Sequence, residues 1–310
     1  MSAPPASRPS RVRPGDTVGV VAPSGVVDSE RLSRGIAVLA GMGFEVRAGA
    51  AVAQRAGYLA GSDRDRLADL QGMLDDPSVR AIFCARGGYG SQRIVPYVDW
   101  TGLARAPKLI VGYSDATALL AAVVRTVGTA VHGPMVAADM ASGLSASALE
   151  RLQRLLGDPG YRWEDELPIR VRPGRARGPL SGGCLSVLAS LIGTSSVPDT
   201  RGTILFLEDV NEPAYRFDRM LLQLRQSGLL DGVAGVVFGT LERCAPEHGV
   251  TPLDVVRDHF AASPYPVAAG LAAGHSVASA GVTNLALPFG VRVELDADRG
   301  RLLALEAPVA

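Results

Sequence analysis

The sequence predicts an α/β protein with an N-terminal parallel sheet covered by helices on both faces, followed by a second α+β domain. In the first half, short β-branched and aliphatic runs alternate with helical segments, and each run ends in a turn rich in glycine, serine or proline. The chain has 310 residues, 47% of them hydrophobic and 20% charged, enough for two domains or one large one. These observations together predict the fold class.

The elements of the first half follow one another at regular spacing. The predicted strands cover residues 17–22, 44–47, 79–85 and 108–113. The predicted helices cover residues 31–41, with Asp28 or Ser29 as cap, 63–74 and 115–127. Because functional loops of parallel sheets lie at the carboxyl ends of strands, we expect the loops 86–90 and 113–115 to belong to a site.

The second half begins after a change in composition. Residues 158–179 contain four prolines, several glycines and an arginine cluster, so they predict an extended connection between domains. The predicted division is a domain at 1–157, a linker at 158–177 and a domain at 178–310. Within the last part we expect helices at 184–192 and 217–227, strands at 203–207 and 235–238, and further short strands such as 283–287.

Charge, cysteines and targeting signals limit the function classes. Thirty-one basic residues balance thirty-one acidic ones, which argues against nucleic acid or an anionic membrane as partner. Cys84, Cys184 and Cys244 are far apart and predict buried thiols in a reducing compartment. Residues 1–14 have no apolar signal core, and no apolar run reaches the ~18 residues that span a bilayer, so a cytoplasmic location is expected.

Ser114 stands on the turn between a predicted strand and a predicted helix, in Gly112-Tyr113-Ser114-Asp115. A serine in this position is lifted out of the sheet, and the amides at the helix start point at what it attacks, as in a nucleophile elbow. The pattern is not G-x-S-x-G, so the hypothesis rests on geometry alone. The alternative, equally open from position, is that Ser114 or Asp115 caps the helix.

A glycine-rich loop, Arg86-Gly87-Gly88-Tyr89-Gly90, follows another predicted strand. Its glycines let the backbone approach a ligand closely, so the N–H of Gly88 and the N–H of Asp115 are the candidate oxyanion donors. Arg86 and Tyr89 are candidate pocket residues. An ordinary turn or a phosphate-binding loop is the alternative, whereas the spacing argues against a dinucleotide fingerprint.

Two of the four histidines are candidates for a site. His275 lies among small residues, which leaves room for a substrate, and is the candidate base. His132 follows a strand at a turn and is a candidate for the same cleft. His248 and His259 have polar or amphipathic neighbours and are interpreted as surface residues.

An acidic run ends the predicted strand at 203–207. Glu208 is the candidate that orients the base, as the third member of a hydrolytic triad does, with Asp209 and Glu212 as rivals. A solvated acidic turn is the alternative. A metal site is not expected, because no HExxH motif or clustered histidine and cysteine ligands accompany these carboxylates.

Taken together, these motifs resemble the LD-carboxypeptidase family of serine peptidases, which also includes the microcin C immunity peptidases. The ordered set spans nearly the whole chain and consists of residues 15–23, 85–90, 112–115, 132–134, 207–209 with 215–219, and 274–275. The resemblance implies a Rossmann-like N-terminal domain that supplies the nucleophile Ser114, and a C-terminal domain that supplies Glu208 and His275.

The resemblance further implies an active site in the interdomain cleft, a homodimer and no cofactor. The implied substrate is a small peptide or muropeptide, from which the enzyme removes terminal D-alanine during cell-wall recycling. One rival is a microcin-type immunity peptidase that cleaves aminoacyl-nucleotide amides; such members are longer and add an aromatic loop, for which Trp100 and Trp163 are no clear candidates. The other rival is a non-enzymatic binder of small molecules.

Overall fold

The computed structural model describes residues 8–276 and 283–310. In this part of the chain, the strands are β1 Thr17–Val21, β2 Glu45–Ala48, β3 Val79–Cys84, β4 Leu109–Gly112, β5 Ala130–His132, β6 Glu164–Glu166, β7 Ile169–Arg172, β8 Arg175–Cys184, β9 Ile204–Val210, β10 Gly235–Glu242, β11 Val267–Ala269, β12 Leu287–Phe289, β13 Arg292–Asp296 and β14 Arg301–Ala304. The helices are α1 Ser29–Gly41, α2 Asp63–Asp75, α3 Ser91–Ile94, α4 Thr101–Arg105, α5 Thr117–Val127, α6 Ala146–Gly157, α7 Leu185–Leu191, α8 Ala214–Gln226 and α9 Pro252–Phe260.

The first sheet has six strands in the order β12-β5-β4-β3-β1-β2. Strands β1 to β5 run parallel, and β12 is antiparallel to β5. The central strands β3 and β4 are almost wholly buried, as expected where both faces of a parallel sheet are covered. Because the strands are parallel, the loops after β1, β3, β4 and β5 all leave the same edge of the sheet.

The second sheet has eight strands in the order β6-β14-β13-β8-β9-β10-β11-β7. Its centre, β8 to β11, is parallel, and the flanking strands pair antiparallel. Helices α7, α8 and α9 supply apolar side chains to a core around this sheet, among them Leu188, Phe217 and Phe260. The mixed α/β class with a parallel sheet and a second sheet is therefore confirmed.

The stretch predicted as a linker contains regular secondary structure. Residues 158–177 contain β6 and β7 and the start of β8, and β6 and β7 are the edge strands of the second sheet. The prolines in this stretch, Pro159, Pro168 and Pro173, lie outside these strands, and the last two flank β7. Two arginines of this stretch form ion pairs, Arg175 with Asp296 at 3.0 Å and Arg177 with Glu294.

The C-terminal part of the chain also crosses the predicted boundary, because β12 joins the first sheet beside β5. The strand expected at 283–287 starts only at Leu287, and helices α6 and α9 were not predicted. The exact division into domains stays a prediction. Of residues 1–14, which contain no apolar signal core, residues 1–7 lie outside the described part of the chain. No helix in the described ranges is both long and apolar enough to cross a membrane.

Candidate active site

Ser114 lies at the carboxyl end of the buried strand β4, in a turn that leads into α5. Its φ is +60°, a left-handed conformation that a serine rarely adopts and that usually marks a functional turn. A single 3-10 turn, Ser114–Ala116, connects it to the helix. The strand, the strained turn and the helix together give the geometry of a nucleophile elbow.

The capping alternative is wrong for both residues of the turn, because no side chain caps α5. The buried carboxylate of Asp115 instead accepts the Ser24 hydroxyl at 2.6 Å and the Ser91 amide at 2.8 Å. The Ser91 hydroxyl in turn donates to the Asp115 carbonyl at 2.5 Å. Asp115 therefore connects the Ser114 turn to the loops that follow β1 and β3.

The glycine-rich loop lies directly against Ser114. A Cβ atom on Gly87 would stand 2.7 Å from Ser114 Oγ and 3.6 Å from the Asp115 nitrogen, so a side chain there would collide with the serine. Gly88 has a φ of +110° and Gly90 one of +137°. The loop thus needs glycine at these positions to bring its backbone beside Ser114.

His275 connects the serine to the second sheet. Its Nε2 lies 3.1 Å from Ser114 Oγ, and its Nδ1 lies 2.7 Å from Glu208 Oε2. The His275 backbone N–H also donates to Glu208 Oε2, at 3.0 Å. The structure thus brings the three predicted residues into hydrogen-bonding order, with Ser114 after strand β4 of one sheet and Glu208 in strand β9 of the other.

The electrostatics of this chain favour a charged carboxylate and a basic imidazole. Burial raises the pKa of Glu208, but the neighbouring imidazoles of His132 and His275 outweigh burial and hold it at about 2. Burial lowers the pKa of His275, but the hydrogen bond and charge of Glu208 outweigh burial, so the net shift is upward. Glu208 therefore stays ionised and makes His275 a stronger base.

His132 is not a pocket residue, contrary to the prediction. Its side chain is fully buried, and its Nε2 lies 3.9 Å from Glu208 Oε1, beyond hydrogen-bonding distance. Among the described residues neither of these atoms has a hydrogen-bond partner. Aromatic rings of Tyr113, Phe206 and Phe289 surround it. His132 thus lies beside Oε1 of Glu208, whereas His275 bonds Oε2.

The rival carboxylates face elsewhere. Asp209 accepts the Ser186 and Val210 amides, each at 2.8 Å, and makes no contact with His275. Glu212 lies 3.6 Å from Arg216. The alternation of side chains along β9 explains why Glu208 rather than Asp209 faces His275, since successive side chains of a strand point to opposite faces of the sheet. The predicted surface position of His259 is wrong, because its side chain is only 7% exposed and bonds Asp218 at 2.7 Å.

The site opens into a cleft with two lobes. The lobe that holds Ser114 and His275 has a volume of about 300 Å³ and is also lined by Arg31 and Met135. The second lobe has a volume of about 540 Å³. It is lined by the two predicted pocket residues Arg86 and Tyr89 and by Arg55 and Tyr58. The lobes meet at Asp28, Arg86 and Gly88, which line both.

Several residues that build the site were not predicted. Asn284 is buried and accepts the Gly274 amide at 2.9 Å, which fixes the backbone just before His275. Tyr113 packs edge-on against the His275 ring, with centroids 4.9 Å apart, and its hydroxyl donates to Asp139 at 3.1 Å. In the sequence, only Tyr113 and the Gly87 of the glycine-rich loop could be suspected of belonging to the site, because each is next to a predicted residue.

An α/β fold that aligns a serine, a histidine and a glutamate in this way has the geometry of a serine hydrolase. The chain belongs to the LD-carboxypeptidase family, since residues 18–133 match the model of the LD-carboxypeptidase N-terminal domain and residues 177–295 match that of the C-terminal domain. The predicted family is thus confirmed, and no group of metal-ligating side chains occurs within the described residues.

Relatives and solved structures agree with this family. The putative carboxypeptidase SCO6489 of Streptomyces coelicolor is 44% identical, with 95% of each chain covered. The crystal structure of muramoyltetrapeptide carboxypeptidase from Oxalobacter formigenes has a TM-score of 0.83 at 30% identity, covering 93% of this chain and 97% of the other. A structure of MccF in complex with glutamyl sulfamoyl guanosine has a TM-score of 0.86 and covers 99% and 100%, but at 23% identity it supports the fold alone.

Proposed function

We propose that the protein is a serine LD-carboxypeptidase that releases terminal D-alanine from muropeptide tetrapeptides, with Ser114 as nucleophile, His275 as base and Glu208 as the residue that orients the base. The alignment of these three side chains at 3.1 and 2.7 Å beside an open cleft is the observation that carries the proposal. The similarity to a muramoyltetrapeptide carboxypeptidase at 30% identity supports the substrate class.

The mechanism is acyl transfer in two steps. His275 removes the Ser114 proton as the hydroxyl oxygen attacks the carbonyl carbon before the terminal residue. The resulting imidazolium donates its proton to the leaving amine, and D-alanine departs. A water molecule, deprotonated by His275, then hydrolyses the acyl-enzyme. Glu208 holds the imidazole in one orientation and stabilises its positive charge in both steps.

Backbone amides of Gly88 and Asp115 are the proposed oxyanion donors. The Asp115 N–H lies at the start of the turn into α5, where the positive end of the helix dipole adds to its effect. The close approach of Gly87 to Ser114 places the glycine-rich backbone beside the same atom. Both donors would therefore act on the oxygen that develops charge when Ser114 attacks.

The larger lobe suits the acyl part of the peptide. Tyr58 and Tyr89 are 67% and 47% exposed there, with ring centroids 6.0 Å apart, and Arg55 and Arg86 line the same space. Arginines bind carboxylates, which a muropeptide carries along its stem, and exposed tyrosines bind the faces of flat or apolar groups.

The same tyrosines are the observation that favours a second function, cleavage of an aminoacyl-nucleotide amide, because a nucleobase stacks on aromatic rings. Trp163 is buried and Trp100 is partly buried, and neither is among the residues that line the cleft. The added aromatic loop expected of such enzymes is thus not supplied by either tryptophan.

Mass spectrometry of a tetrapeptide incubated with the wild type and, in parallel, with Ser114→Ala tests the proposal. Loss of D-alanine with the wild type, and a kcat lower by about 10⁴-fold or more in the mutant with an unchanged circular dichroism spectrum, is the expected result. Turnover by Ser114→Ala at the wild-type rate would contradict the nucleophile. If neither protein acts on the peptide, the substrate assignment falls, and aminoacyl-nucleotide amides are tested next.

Cytoplasmic location and homodimerisation complete the proposal. Tyr215 and Leu222 on α8, with Val250 after it, are 54%, 42% and 45% exposed, and apolar side chains of this kind are common in subunit contacts. Light scattering after gel filtration distinguishes a dimer from a 32.2 kDa monomer. Fractionation of cells that express the full chain tests the location.

A further inference from the structure

The two lobes of the cleft differ in which catalytic groups they contain. Ser114 and His275 line the smaller lobe, and neither lines the larger one. During cleavage, protonated His275 must reach the nitrogen of the leaving residue, so that residue occupies the smaller lobe. This step rests on the proposed function. Met135 and Ala137 in the same lobe are apolar neighbours for a small side chain such as a methyl group.

The leaving residue of a carboxypeptidase substrate carries a free carboxylate, which needs a cation in this lobe. The positive side chains in the lining are Arg31 and Arg86. Arg86 also lines the larger lobe, and its Nη1 donates to the Val26 carbonyl at 2.8 Å. Arg31 lines only the smaller lobe.

Arg31 is held rigidly by the segment that follows β5. Its Nε donates to the Ala137 carbonyl at 2.7 Å, and its Nη2 donates to the Ala138 carbonyl at 2.8 Å and to the Ser142 hydroxyl at 2.7 Å. These partners are all neutral. In the described part of the chain, no carboxylate lies within 4.0 Å of the Arg31 guanidinium to form an ion pair. Asp28 lines the same lobe, but its Oδ1 accepts the Arg31 backbone amide at 2.8 Å as the cap of α1.

We propose that Arg31 binds the terminal carboxylate of the leaving residue and thereby restricts the enzyme to substrates with a free C-terminus. Its guanidinium is positioned in advance by carbonyl groups and keeps a full positive charge, the condition in which a charge-assisted hydrogen bond to a carboxylate is strong. Arg86, shared between the lobes, serves the acyl part.

A pair of substrates tests this inference: the tetrapeptide acid and the same peptide with a C-terminal carboxamide. The wild type is expected to have a kcat/KM about 10- to 100-fold higher for the acid, the range given by one charged hydrogen bond. In Arg31→Gln this preference falls towards one, because cleavage of the acid drops far more than cleavage of the amide. Arg31→Lys, which keeps the charge but loses the planar fork, retains part of the preference.

Arg34→Gln is the matched control. Arg34 lies on the same helix, donates to the Ala141 carbonyl at 3.4 Å and lines neither lobe of the cleft, so Arg34→Gln should leave the acid preference unchanged.

Three results would overturn the inference alone. The first is an unchanged acid preference in Arg31→Gln, and the second is loss of the preference in Arg86→Gln instead. The third is an equal drop in cleavage of both peptides in Arg31→Gln and Arg31→Lys. A wild type that cleaves neither peptide would overturn the proposed function and the inference with it.

Discussion

Ser114 and His275, the proposed nucleophile and base, are supported by different kinds of interaction. Ser114 is held by local geometry: a buried strand, a left-handed turn and the hydrogen bonds of Asp115 to neighbouring loops. The ring N–H and the backbone N–H of His275 both donate to one buried carboxylate, that of Glu208. The Ser114 side therefore depends on backbone geometry and on hydrogen bonds that neutral donors give to Asp115, and the His275 side depends on pairing with the charge of Glu208.

This difference predicts which measurements respond to mutation. On the base side, changes of charge should alter the pH dependence of catalysis, because the pKa of His275 depends on Glu208. On the nucleophile side, loss of a hydrogen-bond acceptor should lower stability and rate together without moving the pH profile. Substitutions at four residues test the comparison.

Glu208→Gln has the largest expected effect. The kcat should fall about 10³- to 10⁴-fold, as when the orienting carboxylate of a triad becomes an amide. In the proposed mechanism the neutral imidazole is the active form, so activity should rise with pH through the pKa of His275, which Glu208 holds above its ordinary value. Without that charge, burial lowers the pKa, and the acid limb of the kcat/KM profile moves to lower pH. A limb that stays in place would contradict the electrostatic role.

Asp115→Ala tests the nucleophile side. The change leaves the buried Ser24 hydroxyl and the Ser91 amide without their acceptor, which costs about 2–4 kcal/mol of unfolding free energy. Urea denaturation measures the loss. Both donors bond the same oxygen, Oδ2, so Asp115→Asn keeps that acceptor and should lose much less. Equal losses in the two variants would show that the charge, rather than the acceptor, is what matters.

The sequence predicts the nucleophile side better than the rest, for a physical reason. The Ser114 turn and the glycine loop are encoded locally, by an apolar run followed by small residues. By contrast, Glu208 and Asp209 look alike in the sequence, and only the pairing of β9 shows which one faces His275. The buried position of His132 depends on β12, which pairs with β5 from far along the chain. Long-range strand pairing also turns the predicted linker into sheet edges.

Asp209→Asn uses the carboxylate next to Glu208 as a comparison. Burial raises the pKa of Asp209 to about 6, above its unfolded value of about 4, so the folded state holds this proton more tightly. Its stabilising contribution is therefore complete below about pH 4 and is lost as pH rises to about 6. That difference is worth up to about 3 kcal/mol.

The difference in unfolding free energy between the wild type and Asp209→Asn, measured by urea denaturation from pH 4 to 7, should show this loss. Glu208 behaves in the opposite way, since its lowered pKa of about 2 makes its contribution present above about pH 4.5 and lost as pH falls towards 2. A pH-independent difference for Asp209→Asn would contradict the raised pKa. Catalysis should change little, because Asp209 does not contact His275.

His132→Phe has the smallest expected effect and tests whether the His132 imidazole lowers the pKa of Glu208. Phenylalanine keeps a ring among Phe206 and Phe289 but removes the nitrogen that lies 3.9 Å from Glu208 Oε1. With one imidazole fewer to offset burial, the pKa of Glu208 should rise, and kcat should fall about 10-fold, equivalent to about 1.4 kcal/mol. Carbon-13 NMR of labelled glutamate carboxyls follows the pKa directly. A purely structural role would lower the unfolding free energy and leave the Glu208 titration unchanged, so the two readouts together decide whether His132 acts on the carboxylate or only fills the space beside it.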